Sequence, residues 1–264
     1  MIVSNNVSPL WHSLPDDHRQ RLAQAIDTGL AKAPSAKASV YFRADDVAVP
    51  GNAFTAMVEA FGVHKVPLGL AVVPAWITVS RWEALRKAAS GRELFCWCQH
   101  GWRHMNYEAP GSKKREFGQA RPARDKRLDL TKGFKRMAEI LGGDFTPVFT
   151  PPWNRCDGDS LAAMPGIGFK GVSRTVGAGP DAPEGLPDFP VLMDLHTRKE
   201  ADPDASLDAM LEELSRGLAD GSCGVMLHHQ RMNQTAVAFL DVLLEQLSSR
   251  KEVSLVHFGH LLQG

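Results

Sequence analysis

The chain has no surplus of charge: 30 lysines and arginines face 30 aspartates and glutamates over 264 residues. No global field therefore draws it to nucleic acid or to an anionic membrane. It has no apolar run approaching the roughly 18 residues that a membrane span requires. Its opening stretch, MIVSNNVSPLWHSLPDDHR, lacks a basic segment, a long apolar core and a small-residue cleavage site, so no secretory leader is read there. Cysteine is scarce. Cys96, Cys98, Cys156 and Cys223 make no C-x-x-C pair and no dense framework, which excludes a disulfide scaffold and favours a reducing cytoplasm. Internal repeats and low-complexity tracts are also missing.

What is present is an alternation of short apolar runs with helical stretches. Residues 16–32 space Leu22, Ile26 and Leu30 at four-residue intervals, predicting an amphipathic helix after a tail. Residues 1–37 thus form an N-terminal segment ahead of one domain over 38–264. Strands are predicted at 39–43, 67–73, 93–98, 146–150, 169–173, 189–195, 224–229 and 253–258. Helices are predicted at 52–62, 81–89, 124–141, 157–164, 206–218 and 237–247, with Gly142 and Gly143 closing the 124–141 helix. Strands separated by helices imply an α/β fold with a parallel sheet, open or closed into a barrel. The one strong local bias, GSKKREFGQARPARDKR at 111–127, reads as a solvated loop, with contact to an anionic or glycan partner as the alternative.

Residues able to do chemistry gather at the C-terminal ends of predicted strands: Asp45 and Asp46, His100, the Pro151–Trp153 turn, Asp194 and His228. In parallel α/β sheets that edge builds the site. In CQHGWRHMNY, His100 and His104 stand four apart, and a helical turn would place both imidazoles on one face, as metal chelation requires. The glutamate of the H-E-x-x-H hydrolases is missing between them, so a base must come from another segment. Asp45 or Asp46, in YFRADDVAVP, can fill that gap. One carboxylate with two imidazoles leaves open positions for water and substrate, while the other carboxylate stands beside it as a base.

The turn in FTPPWNR presents Trp153 either as a stacking face for a sugar ring or as a cap on the core. His228 ends an apolar strand and is placed to donate a proton to a leaving amine. His229 competes with it, because neighbours on a strand face opposite ways. His12, His18, His64, His196, His257 and His260 read as packing or surface residues.

Taken in order, these segments resemble the polysaccharide deacetylases of carbohydrate esterase family 4, the NodB homology domain, over roughly residues 38–260. The family's paired aspartate is matched by Asp45 and Asp46, which implies Asp45 as catalytic base and Asp46 as metal ligand. Its His-Ser/Thr-x-x-His motif is matched by HGWRH, with Gly101 in place of the hydroxyl residue. The implied cofactor is a divalent metal on Asp46, His100 and His104, zinc first, with cobalt, nickel, iron or manganese as alternatives. The Arg-x-Pro-aromatic turn looks like TPPW, which implies substrate contacts from Pro152, Trp153 and Arg155. The Leu-x-His strand looks like MLH, ending at His228 as general acid, and Asp194 is the nearest match to the aspartate that tunes it.

Two further positions depart from the family. Thr150 stands where an arginine contacts the base, leaving Arg43 or Arg155 to supply that charge. Arg198 stands where a tryptophan follows the Asp194 match. The implied fold is a single-domain distorted (β/α) barrel of about seven parallel strands with an extra N-terminal helix. The implied activity is metal-dependent removal of an acetyl group from an N-acetylated sugar or related amide, with a small N-acetylated sugar or a glycan as partner. A divergent or non-catalytic member of the same fold, binding a glycan or acting on a non-sugar amide, is the alternative. A non-haem iron oxygenase also uses two histidines and a carboxylate, but its usual β-sandwich does not fit the alternating pattern.

Overall fold

The computed structural model describes residues 7–91 and 93–263; residues 1–6 of the predicted tail lie outside them. The strands are β1 (Ala38–Val47), β2 (Leu68–Val72), β3 (Phe95–His100), β4 (Phe145–Thr150), β5 (Gly171–Val172), β6 (Met193–Asp194), β7 (Ser222–Leu227) and β8 (Val253–Val256). All pair in parallel, in the order β5-β4-β3-β2-β1-β7-β6, and β8 takes the early edge of β1 that β2 does not reach. Seven strands thus lie along the path, as expected, with an eighth beside it.

The two ends of the curled sheet meet through an irregular segment. Phe189 N–H donates to Val172 O and Val191 N–H to Arg174 O, at 2.8 and 2.7 Å. On the other side Leu192 N–H donates to Gly224 O and Leu195 N–H to Met226 O, at 2.8 and 3.0 Å. The predicted strand 189–195 survives only as the two residues of β6. Pro187 and Pro190 bring no N–H to a ladder, which keeps the flanking chain irregular. The result is the distorted (β/α) barrel.

Helices α1 (His18–Leu30), α2 (Asn52–His64), α3 (Val79–Ala88), α4 (Ala123–Leu141), α5 (Gly158–Ile167), α6 (Pro203–Ala219), α7 (Gln234–Ser248) and the short α8 (Phe258–Leu261) complete the chain. Side-chain alternation along the strands divides the core in two. Val40, Phe42 and Ala44 of β1, Leu68, Leu70 and Val72 of β2, and Val225 and Leu227 of β7 pack outward against the helices. Tyr41, Ala71, Cys96, Cys98, Val148 and Met226 point inward and pack together with Phe258 of α8. All four cysteines are buried free thiols. Among the described residues, no helix is long and apolar enough to cross a membrane.

The N-terminal helix packs on α6, and a Cβ on Gly29 would lie 2.5 Å from Ser215 O, so this approach requires glycine. Just before it, Trp11 is buried against His196 and Phe239. Its indole N–H donates to Leu195 O at 3.1 Å, and Asn233 Nδ2 donates to Trp11 O at 2.8 Å. The N-terminal segment thereby ties together the loops that follow β6 and β7.

Candidate metal centre and its cavity

On four of the strands the inward-facing set ends in a polar residue. Following Tyr41 and Arg43 comes Asp45; following Cys96 and Cys98 comes His100; following Val148 comes Thr150; following Met226 comes His228. The same alternation turns His229 outward, where it is buried edge-on against Phe54 of α2. Burial pushes the His229 imidazole down to about 4, so it is neutral there. Between the two histidines, His228 is the one that reaches the cavity.

Asp46 would face away from Asp45 on a regular strand. Instead the β1–β2 register shifts between Ala44 and Val47, and Asp46 takes a left-handed backbone with φ of 60°. A bulge of this kind re-aims a side chain, and aspartate tolerates the left-handed region better than most residues. Gln230 Nε2 donates to the Asp46 carbonyl at 2.7 Å and holds the bulge. Both carboxylates of the pair therefore line one cavity.

Asp46, His100 and His104 each offer a ligand atom, all within 4.8 Å of one another. Asp46 Oδ1 lies 3.3 Å from His100 Nε2 and 3.2 Å from His104 Nε2. It is nevertheless a buried atom with no aligned hydrogen-bond donor. The three groups converge on a shared point rather than on one another, which is what a divalent cation needs. Thr150 completes the support. His100 Nδ1 donates to Thr150 O at 3.0 Å and to its Oγ1 at 2.9 Å, while that hydroxyl donates to Gln99 O at 3.1 Å. With its proton on Nδ1, His100 presents the Nε2 lone pair to the Asp46 side. The donor set fits a metal.

The histidine pair is not on a helix, contrary to the spacing argument. His100 ends β3, and the chain then turns through Gly101 and His104, with φ of 57° and 56°. The buried Glu116 carboxylate replaces the helix as organiser. It accepts from the backbone N–H groups of Trp102, Arg103 and His104 at 3.1, 2.7 and 3.2 Å. The His104 ring sits between Trp153 and Trp76, with centroids at 4.5 and 6.0 Å. Burial, with His100 adding to it, pushes His104 down to about 4 and keeps its imidazole neutral, as a ligand must be.

Asp45 is 3% exposed, and burial alone would favour its neutral form. The Arg43 guanidinium reverses that and holds the carboxyl below the usual carboxylate range. Arg43 Nε meets Oδ1 and Nη2 meets Oδ2, both at 2.8 Å. Its remaining N–H groups reach Ser173 O and Oγ, both at 2.9 Å, and Asn154 Oδ1 at 2.6 Å. Asp45, Asp46, His100, His104, Trp153, Arg155, Asp194 and His228 all line one cavity of about 720 Å³.

No protein-family model matches the sequence, and comparison with curated proteins returns no match. Solved structures do match. A Mycobacterium smegmatis protein described as a polysaccharide deacetylase superposes with a TM-score of 0.65 at 14% identity, covering 87% of this chain and 91% of its own. The Xyl-CE4 domain of a multidomain xylanase from the hindgut metagenome of Trinervitermes trinervoides gives 0.56 at 12% identity, covering 86% and 90%. A CE4-family pseudoenzyme from Bacillus anthracis gives 0.56 at 13% identity, covering 86% and 66%. The chain has the CE4 deacetylase fold.

On that fold, several expected residues sit differently from their sequence reading. Pro152 is buried and packs against Gly101 instead of lining the cavity, so Trp153 and Arg155 remain of the three expected wall residues, joined by Asn154 between them. Arg43, and not Arg155, supplies the charge beside Asp45, and Thr150 serves His100 in place of an arginine. Asp194 reaches the cavity, but its Oδ1 accepts from the backbone N–H groups of His196 and Thr197 at 3.0 and 2.9 Å, and its Oδ2 from the Thr197 hydroxyl. No hydrogen bond joins it to His228, whose Nδ1 is buried without a partner. His228 N–H donates instead to His196 Nδ1 at 3.0 Å, so His196 is no bland packing residue.

The basic stretch 111–127 is only half the solvated loop expected. Gly111–Lys114 are exposed, while Glu116, Phe117 and Lys126 are buried, the last against Asp157. Glu116 escaped the sequence reading, although one signal marks it. It is the single acid between Glu108 and Asp125, beside a large aromatic in an otherwise basic run.

Proposed function

We propose that the chain is a metal-dependent hydrolase that removes the acetyl group from an N-acetylated sugar or a related amide. The observation that carries this reading is the pairing of two unlike carboxylates in one cavity. Asp46 converges with His100 and His104 on a cation-sized point, while Asp45, one peptide bond away, is held ionised by Arg43 and makes no ligand contact. Two imidazoles and a carboxylate favour zinc, with cobalt, nickel, iron or manganese as substitutes. Such an ion would polarise the acyl carbonyl and bring the pKa of a bound water to about 7.

Asp45 then takes the proton as a water oxygen adds to the acyl carbon. His228, just past the end of the neighbouring β7, gives a proton to the nitrogen as the carbon–nitrogen bond breaks, and acetate and the free amine leave. Trp153 and Arg155 bound the space for the substrate, and Asp194 fixes the loop that faces His228. Four buried free thiols support a reducing compartment. The test is acetate release from N-acetylated sugars by metal-loaded protein, set beside Asp45→Asn and His228→Ala. Full turnover in either variant sinks its assigned role. The Bacillus anthracis protein of this fold, described as a pseudoenzyme, motivates a second reading, a glycan-binding protein without turnover. Metal binding with no hydrolysis across a broad panel of sugar and non-sugar amides would favour it.

A further inference from the structure

The walls of the cavity carry more positive charge than its chemistry uses. Its cationic side chains are Lys114, Arg155, Lys199 and Arg231, against the carboxylates of Asp45, Asp46 and Asp194. Each of those carboxylates is already engaged: Asp45 by Arg43, Asp46 with the two histidines, and Asp194 by the N–H groups and hydroxyl of its own loop. In a chain whose 30 basic and 30 acidic residues cancel, this excess is local. A cleft with low-dielectric walls concentrates such a field on whatever enters it. A neutral sugar has no use for it.

Two of the four cations also occupy a defined place. Thr197, Lys199 and Arg231 line the catalytic cavity and, equally, an adjoining cavity of about 720 Å³ reached past them. That second cavity is also lined by Ser8 and His12 of the N-terminal segment, and Ser8 is 4% exposed with its hydroxyl oxygen lacking a hydrogen-bond partner. In sequence, Thr197 follows Asp194 by three positions and Arg231 follows His228 by three. With His228 as the proposed acid, this wall belongs to the leaving-group side of the site. On the proposed reading the acyl group meets Asp46 and its metal, and the amine, with everything attached to it, lies towards His228 and so towards Lys199 and Arg231.

We infer that the substrate is an N-acyl amine carrying a phosphate group on its amine portion, and that Lys199 and Arg231 bind that phosphate. An arginine fork and an ammonium suit the terminal oxygens of a phosphate. This deepens the deacetylase reading and relies on it only for the direction in which the substrate lies.

The experiment has two arms. In the first, metal-loaded protein is given N-acetylglucosamine 6-phosphate and, separately, unphosphorylated N-acetylglucosamine. Wild type is expected to prefer the phosphorylated sugar in kcat/KM by about tenfold or more. That ratio falls towards one in Lys199→Ala and Arg231→Gln, and it shrinks as sodium chloride is raised. In the second arm, binding of inorganic phosphate is measured by calorimetry for wild type and both variants, without reference to turnover. Loss of binding in the variants supports the phosphate site even if neither sugar is hydrolysed, in which case the deacetylase reading alone fails. Equal turnover of the two sugars overturns the inference and leaves the deacetylase reading standing. So does phosphate binding that both substitutions leave intact, because phosphate held on the metal alone behaves that way.

Discussion

Arg43 grips Asp45 from two residues back on the same strand, its Nε and Nη2 each 2.8 Å from a different carboxylate oxygen. Strand alternation makes the grip possible, since residues two apart share a face. Ser173 from beyond β5 and Asn154 from beyond β4 take the rest of the guanidinium, so the cation is immobilised by three separate segments. A carboxylate held in this way keeps its orientation and its charge before substrate arrives, as the proposed role of base requires.

Replacing the fork while keeping the charge separates these two contributions. In Arg43→Lys, a single ammonium cannot reach both carboxylate oxygens, Ser173 and Asn154 together. Acetate release is expected to fall about tenfold or more in kcat with little change in KM, the pattern of a contact that matters in the transition state. Arg43→Ala leaves a buried carboxylate without its cation and should cost about 3–5 kcal/mol in stability, read from the denaturant midpoint. Wild-type kcat in the lysine variant would show that the fork is not what positions Asp45.

Thr150 offers a test of the metal centre that leaves the ligands untouched. Thr150→Val removes the hydroxyl acceptor of His100 Nδ1–H and keeps the backbone carbonyl acceptor. Zinc affinity should drop by about tenfold, as for other residues that orient a ligand from behind, and competition with a chromophoric chelator measures it. Thr150→Ser should recover most of the loss. Unchanged affinity in the valine variant would mean that the carbonyl alone fixes the imidazole.

Much of this was legible in the sequence, for a definite reason. Parallel strands buried on both faces write themselves as apolar runs, so β1, β2, β3, β4 and β7 could be seen, and with them the strand ends where Asp45, His100 and His228 stand. Three things were not legible. The bulge that swings Asp46 beside Asp45 depends on a register shift against β2, which no local pattern announces. The arrangement of His104 depends on Glu116, twelve residues further on, in a run whose overall charge reads as solvated. The choice between Arg43 and Arg155 as the partner of Asp45 stayed open, because the anchoring of the Arg43 guanidinium by Ser173 and Asn154 depends on segments far away in sequence.

Glu116 and Gly101 form one clamp and should fail together. A Cβ on Gly101 would lie 2.2 Å from Glu116 Oε2 and 2.5 Å from Pro152 Cγ, at a backbone φ of 57° that favours glycine. Gly101→Ala is therefore expected to displace the carboxylate. Glu116→Gln turns one acceptor into a donor facing N–H groups, at a cost of about 1–3 kcal/mol. Both variants should bind zinc more weakly while keeping the circular dichroism of the parent. Zinc affinity equal to wild type in Glu116→Gln would remove Glu116 from the centre.

His196 predicts how the metal-free protein responds to acid. Burial, reinforced by His228, His229 and Arg231, pushes its imidazole down from the ordinary 6.5 to about 3. Above pH 6.5 neither the folded nor the unfolded chain protonates this group, and it contributes nothing to the pH dependence. Between about 6.5 and 3 the unfolded chain binds a proton that the folded one refuses, so stability falls as pH falls, by up to about 1.4 kcal/mol per pH unit for a single group. Below about 3 the effect levels off. His229 and His104, each pushed down to about 4, act in the same direction. His100 acts in the opposite one: burial pulls it down, but Asp45 and Asp46 outweigh that and raise it. The informative quantity is therefore a difference between two proteins. His196→Gln keeps an acceptor for the His228 N–H and removes only the titration, so urea midpoints of the metal-free variant should decline less steeply than the parent's between pH 6.5 and 4. Parallel curves would mean that His196 takes up its proton in the folded state, and that the wall behind His228 is wetter than its burial indicates.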